Sequence, residues 1–201
     1  MLIVASRLLN LPVMGLQTGS ELARTHAPLI DPTTLSVVAY SVDAPLLQTA
    51  QPTFLRIADI RELSDVGFII DAIDELIALG DVIRIDDLYG LHFTLIGMKV
   101  VDEEGRKVGR IYDFTIDVDD FSIQQLSIKR PFMYRLTDPE LLVHRSQIIE
   151  VNGETIVIHS KAETPEHTRV TAPGSYVNPF RKAKPATEIE GGVHPSSSTS
   201  K

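Results

Sequence analysis

The most constraining feature of this chain is a repeat. Residues 19–42 laid over residues 105–128, a fixed offset of 86, give six identities: Gly19/Gly105, Arg24/Arg110, Ile30/Ile116, Asp31/Asp117, Ser36/Ser122 and Ser41/Ser127. Five further pairs keep apolar character: Leu22/Val108, Leu35/Phe121, Val37/Ile123, Tyr40/Leu126 and Val42/Ile128. Chance supplies about one or two identities in such a window, so the supersecondary unit formed by one segment is expected twice.

The second copy shows what that unit is. From Val108, the positions Val108, Tyr112, Phe114 and Ile116 fall in one phase and Gly109, Asp113, Thr115 and Asp117 in the other. That alternation predicts a half-buried strand, with Arg110 as a misfit on the apolar face. A reversal at Asp117, Val118, Asp119 and Asp120 leads to Phe121 and Ile123 in one phase and Leu126 and Ile128 in the other, which a bulge near Gln124 and Gln125 reconciles. Residues 95–101 predict a preceding strand, closed by an acidic turn at Gly105. Residues 141–143, 148–149 and 156–158 predict three more, with Asn152 and Gly153 as a hairpin turn. So many short strands in one stretch imply a closed or nearly closed barrel, since closure removes exposed edges.

This stretch resembles the PRC-barrel family, the small barrel of the photosynthetic reaction-centre H subunit and of a bacterial ribosome-maturation protein. The residues carrying the likeness are Leu95, Ile96, Gly97, Val100, Gly105, Val108, Gly109, Asp113, Ile116 and Asp117, with the closing Ile148, Ile149, Glu150, Ile156 and Val157. They are packing and turn residues. The resemblance therefore implies a fold, and an adaptor role for that fold, without prescribing any reactive side chain.

With the repeat, the expected architecture is mainly β: two tandem small PRC-like barrels with short helical turns and a disordered C-terminal tail. The expected divisions are a first barrel at residues 1–80, a connecting segment at 81–93, a second barrel at 94–161 and the tail at 162–201. The first barrel begins with a strand at residues 2–5. Residues 58–62 suggest a helical turn leading to the strand at 68–70. Within residues 72–93 the spacing of Ile73, Leu76, Ile77 and Leu79 suggests a helix, while residues 82–85 fit a strand or a helical turn equally. No Gly/Ser/Pro-rich linker separates the copies, so they are expected to pack together, each around its own apolar interior. The tail is rich in Thr, Pro, Glu, Ser and Gly and lacks the apolar surface to offset the entropy of ordering.

The chain carries no cysteine, which excludes disulfides, thiolate nucleophiles and cysteine-based metal centres and suits a reducing, cytoplasmic setting. No run of eighteen apolar residues is present, so no membrane-spanning helix is expected. Of the net charge of −8, the residues after 160 contribute +2, which leaves residues 1–160 at −10. So acidic a body argues against DNA binding and broad phosphate contact.

Catalytic constellations are missing from the sequence. There is no G-x-S-x-G elbow, no phosphate loop and no dinucleotide fingerprint. Asp113, Asp117, Asp119 and Asp120 lack EF-hand spacing and read as solvated turn and edge carboxylates. The six histidines lack ligand spacing, although His144 and His159 would meet if their strands were neighbours. The repeated arginine is expected to pack its stem and send its head to solvent or to a carboxylate such as Asp31 or Asp117. No enzyme, cofactor or metal is expected.

Candidate contact residues are Arg130, Phe132, Met133, Tyr134 and Arg135, where cations and aromatics share a loop on an acidic body, and Phe180, Arg181 and Lys182 in the tail. Aromatics and arginine are the side chains that carry interface energy. The expected function is a non-catalytic adaptor binding a partner protein. The alternatives are a ribosome- or RNA-associated maturation factor, whose phosphate contacts the same cations would suit, and an assembly protein of a membrane or photosynthetic complex.

Overall fold

A computed structural model describes residues 1–131 and 140–159. The chain forms fourteen strands and one α-helix among these residues, in two sheets. The first sheet is built from β2 (Pro12–Gly15), β3 (Ser20–Asp31), β4 (Ser36–Asp43), β5 (Thr53–Arg56), β6 (Glu62–Ser64), β7 (Gly67–Ile70) and β8 (Leu76–Ala78). The second holds β1 (Leu2–Val4), β9 (Lys99–Asp102), β10 (Lys107–Asp117), β11 (Ile123–Lys129), β12 (Glu140–His144), β13 (Ile148–Val151) and β14 (Thr155–Ile158). Helix α1 (Ile83–Gly90) lies between them in sequence.

The two sheets repeat one strand order. The first runs β6-β7-β2-β3-β4-β5 and the second β13-β14-β9-β10-β11-β12, with β7 parallel to β2 and β14 parallel to β9. Even the irregularities recur at the offset of the sequence repeat. One extra residue bulges from the ladder at Leu22 and Val108, again at His26 and Tyr112, and again at Val38 and Gln124. A bulge bends its strand and sharpens the twist, so equal placement gives two long hairpins the same curl.

Neither sheet closes into a barrel. In the second, the end strands β12 and β13 are joined by a single 3-10 turn, Arg145–Gln147, yet no ladder hydrogen bonds join them. In the first, a 3-10 turn at Ile57–Asp59 lies between β5 and β6, and β8 takes the outer edge of β5 instead. The expectation of closed barrels is corrected accordingly. A three-residue turn lets the sheet ends approach, but it spends on turning the backbone groups that a ladder would need.

The expectation of two separate interiors is corrected as well. The large buried side chains form one continuous cluster, from Val13, Ile30, Tyr40 and Phe68 of the first sheet to Ile116, Phe121, Leu126 and Ile156 of the second. The rings of Phe68 and Phe121 are 6.1 Å apart, and those of Phe68 and Tyr40 5.6 Å. Small barrels are poor in core volume, and a shared core buries more apolar area per residue than two isolated ones.

The sheets meet at their β3–β4 and β10–β11 turns. Val37 N–H donates to the Phe121 carbonyl at 3.0 Å and Ile123 N–H to the Leu35 carbonyl at 2.9 Å. Arg145 donates to the carbonyls of Thr34 (2.6 Å), Leu35 (3.0 Å) and Ile123 (3.3 Å), which staples both turns. Leu35 and Phe121 each take a left-handed backbone, φ 47° and 54°, uncommon for bulky side chains. The strain is repeated because both side chains are buried at this contact, 7% and 5% exposed.

Local readings fare unevenly. Residues 95–98 form a turn, with Gly97 at φ 88°, so the strand expected over 95–101 begins only at Lys99. Tyr112 is 42% exposed rather than inward, because it is the bulged residue and Ile111 takes the core-facing position. Residues 76–78, read as helical, form β8, while 83–90 are helix. The first strand exists, but it joins the other sheet, pairing Ile3 with Ile116.

Candidate functional site

An apolar cavity of about 400 Å³ lies where the likeness between the two sheets breaks down. In the second sheet, β10 has β11 on one edge and, on the other, β9 over residues 107–110 and β1 over residues 115–117. In the first sheet, β3 has β4 on one edge and β2 over residues 20–24 on the other. Among the described residues, no strand meets that second edge beyond Thr25. The cavity sits beside it, lined by His26, Ala27, Pro28, Leu29 and Ile30 of β3.

The opposite wall is the end of α1 and the turn that follows. Residues 88–95 precede β9 as residues 1–8 precede β2: Leu95 and Leu8 are both buried and are followed by left-handed turns at Gly97 and Asn10. Where residues 2–4 are extended and pair with β10, their counterparts 89–91 close a helix. Ile85 and Leu88 bury one stripe of that helix against Leu29, Ala39 and Phe54 on the outer face of the first sheet. The Arg84 guanidinium lies 3.1 Å from the Asp31 carboxylate, much as the Met1 nitrogen lies 2.9 Å from Asp117. Tyr89 packs edge-on to Phe54 at 5.4 Å, and His92 turns the chain away with φ 50°. A helix coils in three residues what a strand extends, so it leaves a groove where β1 fills the matching space.

The groove is mainly apolar, with His26, Ser41, His92 and Thr94 as its polar side chains. No Asp, Glu, Lys or Arg lines it, and its rim exposes Leu9 (42%), Tyr89 (36%) and Ile96 (47%). Leu9, from the N-terminal segment, and Phe114, from β10, complete the wall, so the groove continues into the contact between the two sheets. Sequence reasoning missed it. The only signal was negative: residues 82–91 do not repeat the extended pattern of residues 1–4.

Of the residues singled out from sequence, Arg130 follows β11 and is half-buried. Phe132, Met133, Tyr134, Arg135, Phe180, Arg181 and Lys182 lie outside the described residues. His144 and His159 do not meet, because β12 neighbours β11 whereas β14 lies between β9 and β13. His144 instead caps the turn after β12 through Ser146, and His159 contacts Glu103 at 2.6 Å. Among the described residues, no group of three or more His, Asp or Glu is placed to hold a metal ion.

Asp117 and Asp120 serve the turn after β10, whereas Asp113 lies within that strand. Asp117 accepts from the Asp119 amide, Asp120 from the Ser122 amide, and Asp113 from the Phe114 amide. Hydrogen bonds from Ser122 hold the Asp120 carboxyl below its ordinary range. The repeated arginine has a shared duty beyond the expected one. Arg110 donates to the Gly97 carbonyl at 2.7 Å and Arg24 to the Asn10 carbonyl at 3.2 Å, closing the left-handed turn before β9 and β2. Arg24 adds an ion pair with Glu21.

Among known families, the C-terminal part of the described chain has a match. The PRC-barrel domain matches residues 80–164. The matched span starts ahead of α1 and includes all of β9–β14. No curated protein matches the chain. No described helix is long and apolar enough to cross a membrane.

Proposed function

We propose that this protein is a non-catalytic adaptor, built from two PRC-like units in tandem, that holds a partner protein against the apolar groove beside β3. The observation that carries the reading is the groove itself. Its rim exposes large apolar side chains, its lining has no charged carboxylate or cation, and its counterpart in the PRC-barrel half is filled by β1. A desolvated apolar pocket with aromatic walls is the kind of surface on which interface energy concentrates.

The tandem reading is supported by the identities at offset 86, the shared strand order and the three bulges repeated in register. Association with RNA is favoured less, because the groove offers no Lys or Arg to a phosphate. The segment at 130–135 and the tail residues 180–182 remain proposed secondary contacts.

Ile96→Asp tests the reading. It adds a charge at an exposed rim position and leaves the core untouched. Affinity purification from native lysate should recover a protein with the wild-type chain and lose it with the variant, at unchanged melting temperature. Identical recovery by both would overturn the groove as the docking surface.

A further inference from the structure

Resting on the groove as docking surface, we infer that its occupant is an extended apolar segment of the partner, which adds to the open edge of β3 as an antiparallel strand opposite Ile30.

The occupied half of the molecule supplies the template. On β10, the segment Leu2, Ile3, Val4 runs antiparallel, with Ile3 opposite Ile116, and the Val118 N–H donates to the Met1 carbonyl. Ladder bonds alternate along an antiparallel pair, so the edge-facing backbone groups of β10 are those of Ile116 and Val118, and before them Phe114. Their counterparts on β3 are Ile30, Pro32 and Pro28. Ile30 is identical in the two halves.

The two prolines define what the edge accepts. Pro28 and Pro32 stand where an N–H would point outward, so neither donates. One donor, the Ile30 amide, remains between them. Prolines on an edge strand discourage indiscriminate pairing. Here they leave a single two-bond register centred on Ile30, with the carbonyls of Pro28 and Pro32 still able to accept. The occupant therefore needs only about three extended residues, the length of β1.

Side-chain chemistry follows from the walls. The lining is mainly apolar and aromatic, with His26, Ser41, His92 and Thr94 and no Asp, Glu, Lys or Arg, so β-branched and aliphatic residues suit it better than charged ones. Continuity with the sheet–sheet contact at Leu9 and Phe114 places the incoming strand at the seam, as β1 is placed in the other half.

The probe is a fluorescent peptide carrying the sequence of residues 1–7, titrated into the full-length protein, with an otherwise identical peptide having proline at its third position as the control. The expected result is saturable binding of the first and not of the second, weakened at least about tenfold by Ile96→Asp, with amide exchange slowed at Ile30 and unchanged at Ile116. Binding without protection at Ile30 would overturn strand addition while leaving the groove as a docking surface. Protection at Ile116 alone would show exchange with β1, and would overturn the proposal too. If Ile30 is protected in the free protein and Tyr176→Ala with Phe180→Ala exposes it, the occupant is the chain's own tail. If that protection grows with protein concentration, the occupant is a second copy. Either result overturns a partner strand. Failure of the peptide together with partner recovery that still depends on Ile96 would sink the strand and keep the adaptor. Failure of both would sink both.

Discussion

Ser36 and Ser122 face each other across the contact between the two sheets, as an antiparallel bridge flanked by the Val37–Phe121 and Ile123–Leu35 hydrogen bonds. They hold the same rank in their hairpins, 86 residues apart. A residue meets its own counterpart only across a two-fold axis, so this contact is isologous within one chain, of the kind that joins two subunits of a symmetric dimer.

That geometry is testable with a cross-link. Bonds flanking the pair make it non-hydrogen-bonded, for which Cα atoms sit about 4.5 Å apart, within disulfide range. The chain has no other cysteine. The double variant Ser36→Cys with Ser122→Cys should oxidise to an intrachain disulfide, seen as faster migration on a non-reducing gel. Closing so long a loop should raise stability to chemical denaturation by about 2–4 kcal/mol. Formation of intermolecular dimers alone would contradict the placement.

Arg145 should matter more than a surface arginine. Its guanidinium donates to three carbonyls, two on the turn of the first sheet and one on β11 of the second. Arg145→Ala leaves those carbonyls without their charged donor and should cost about 1–3 kcal/mol. Because the bonds cross the sheet contact, native-state exchange should quicken at Val37 and Ile123 before it quickens in β14.

Tyr40 carries a cost that its counterpart Leu126 avoids. The ring is buried against Phe68, and its hydroxyl is a buried side-chain polar atom with no hydrogen-bond partner among the described residues. Burial raises its pKa well above the usual tyrosine value. Tyr40→Phe removes the stranded hydroxyl and keeps the ring, so a gain of about 1 kcal/mol in denaturant unfolding is expected. A loss of that size would mean the hydroxyl has a partner.

Gly67 is fixed by a close approach. It takes φ 130°, and a Cβ there would sit 2.1 Å from the Pro12 carbonyl oxygen on β2, to which β7 pairs in parallel. Gly67→Ala should cost at least about 1–3 kcal/mol from the backbone alone. The loss should appear as faster exchange in β6 and β7, with the second sheet little affected.

Asp102 introduces a pH dependence. Burial alone would raise its carboxyl pKa, but hydrogen bonds from the Arg106 side chain and from the Arg106 and Glu104 amides outweigh that and hold it below the ordinary value of 3.8. A folded pKa below the unfolded one gives stability that is present above the unfolded pKa and is lost as pH falls through the folded one. The stability difference between wild type and Asp102→Asn should therefore be full near neutrality and shrink once pH drops below the ordinary carboxylate range. A carboxyl titration by NMR should find the Asp102 midpoint below that of an exposed aspartate.

How far the residues alone led is clearest at the hairpins. Apolar alternation around Gly19 and Gly105, with matched aspartates at the turns, marked both long hairpins, and the phase conflict between Ile123 and Leu126 put a bulge near Gln124 and Gln125, where the structure has it at Gln124. Local periodicity records which side of a strand is buried, and bulges show as breaks in it. The phase at Tyr112 was misread because Tyr tolerates either side, so a bulge there leaves no break.

What lay beyond reach was decided between segments distant in sequence. Nothing in Leu2, Ile3 and Val4 says that they pair with residues 115–117 rather than with their own sheet, and nothing in Ile85 and Leu88 says that they cover Phe54. The amino-acid order by itself set the two hairpins, their turns and the absence of thiol chemistry. The tertiary structure alone decided that the interiors merge, that neither sheet closes and that, among the described residues, one edge of β3 has no partner strand, because those outcomes depend on which distant surface buries the most apolar area.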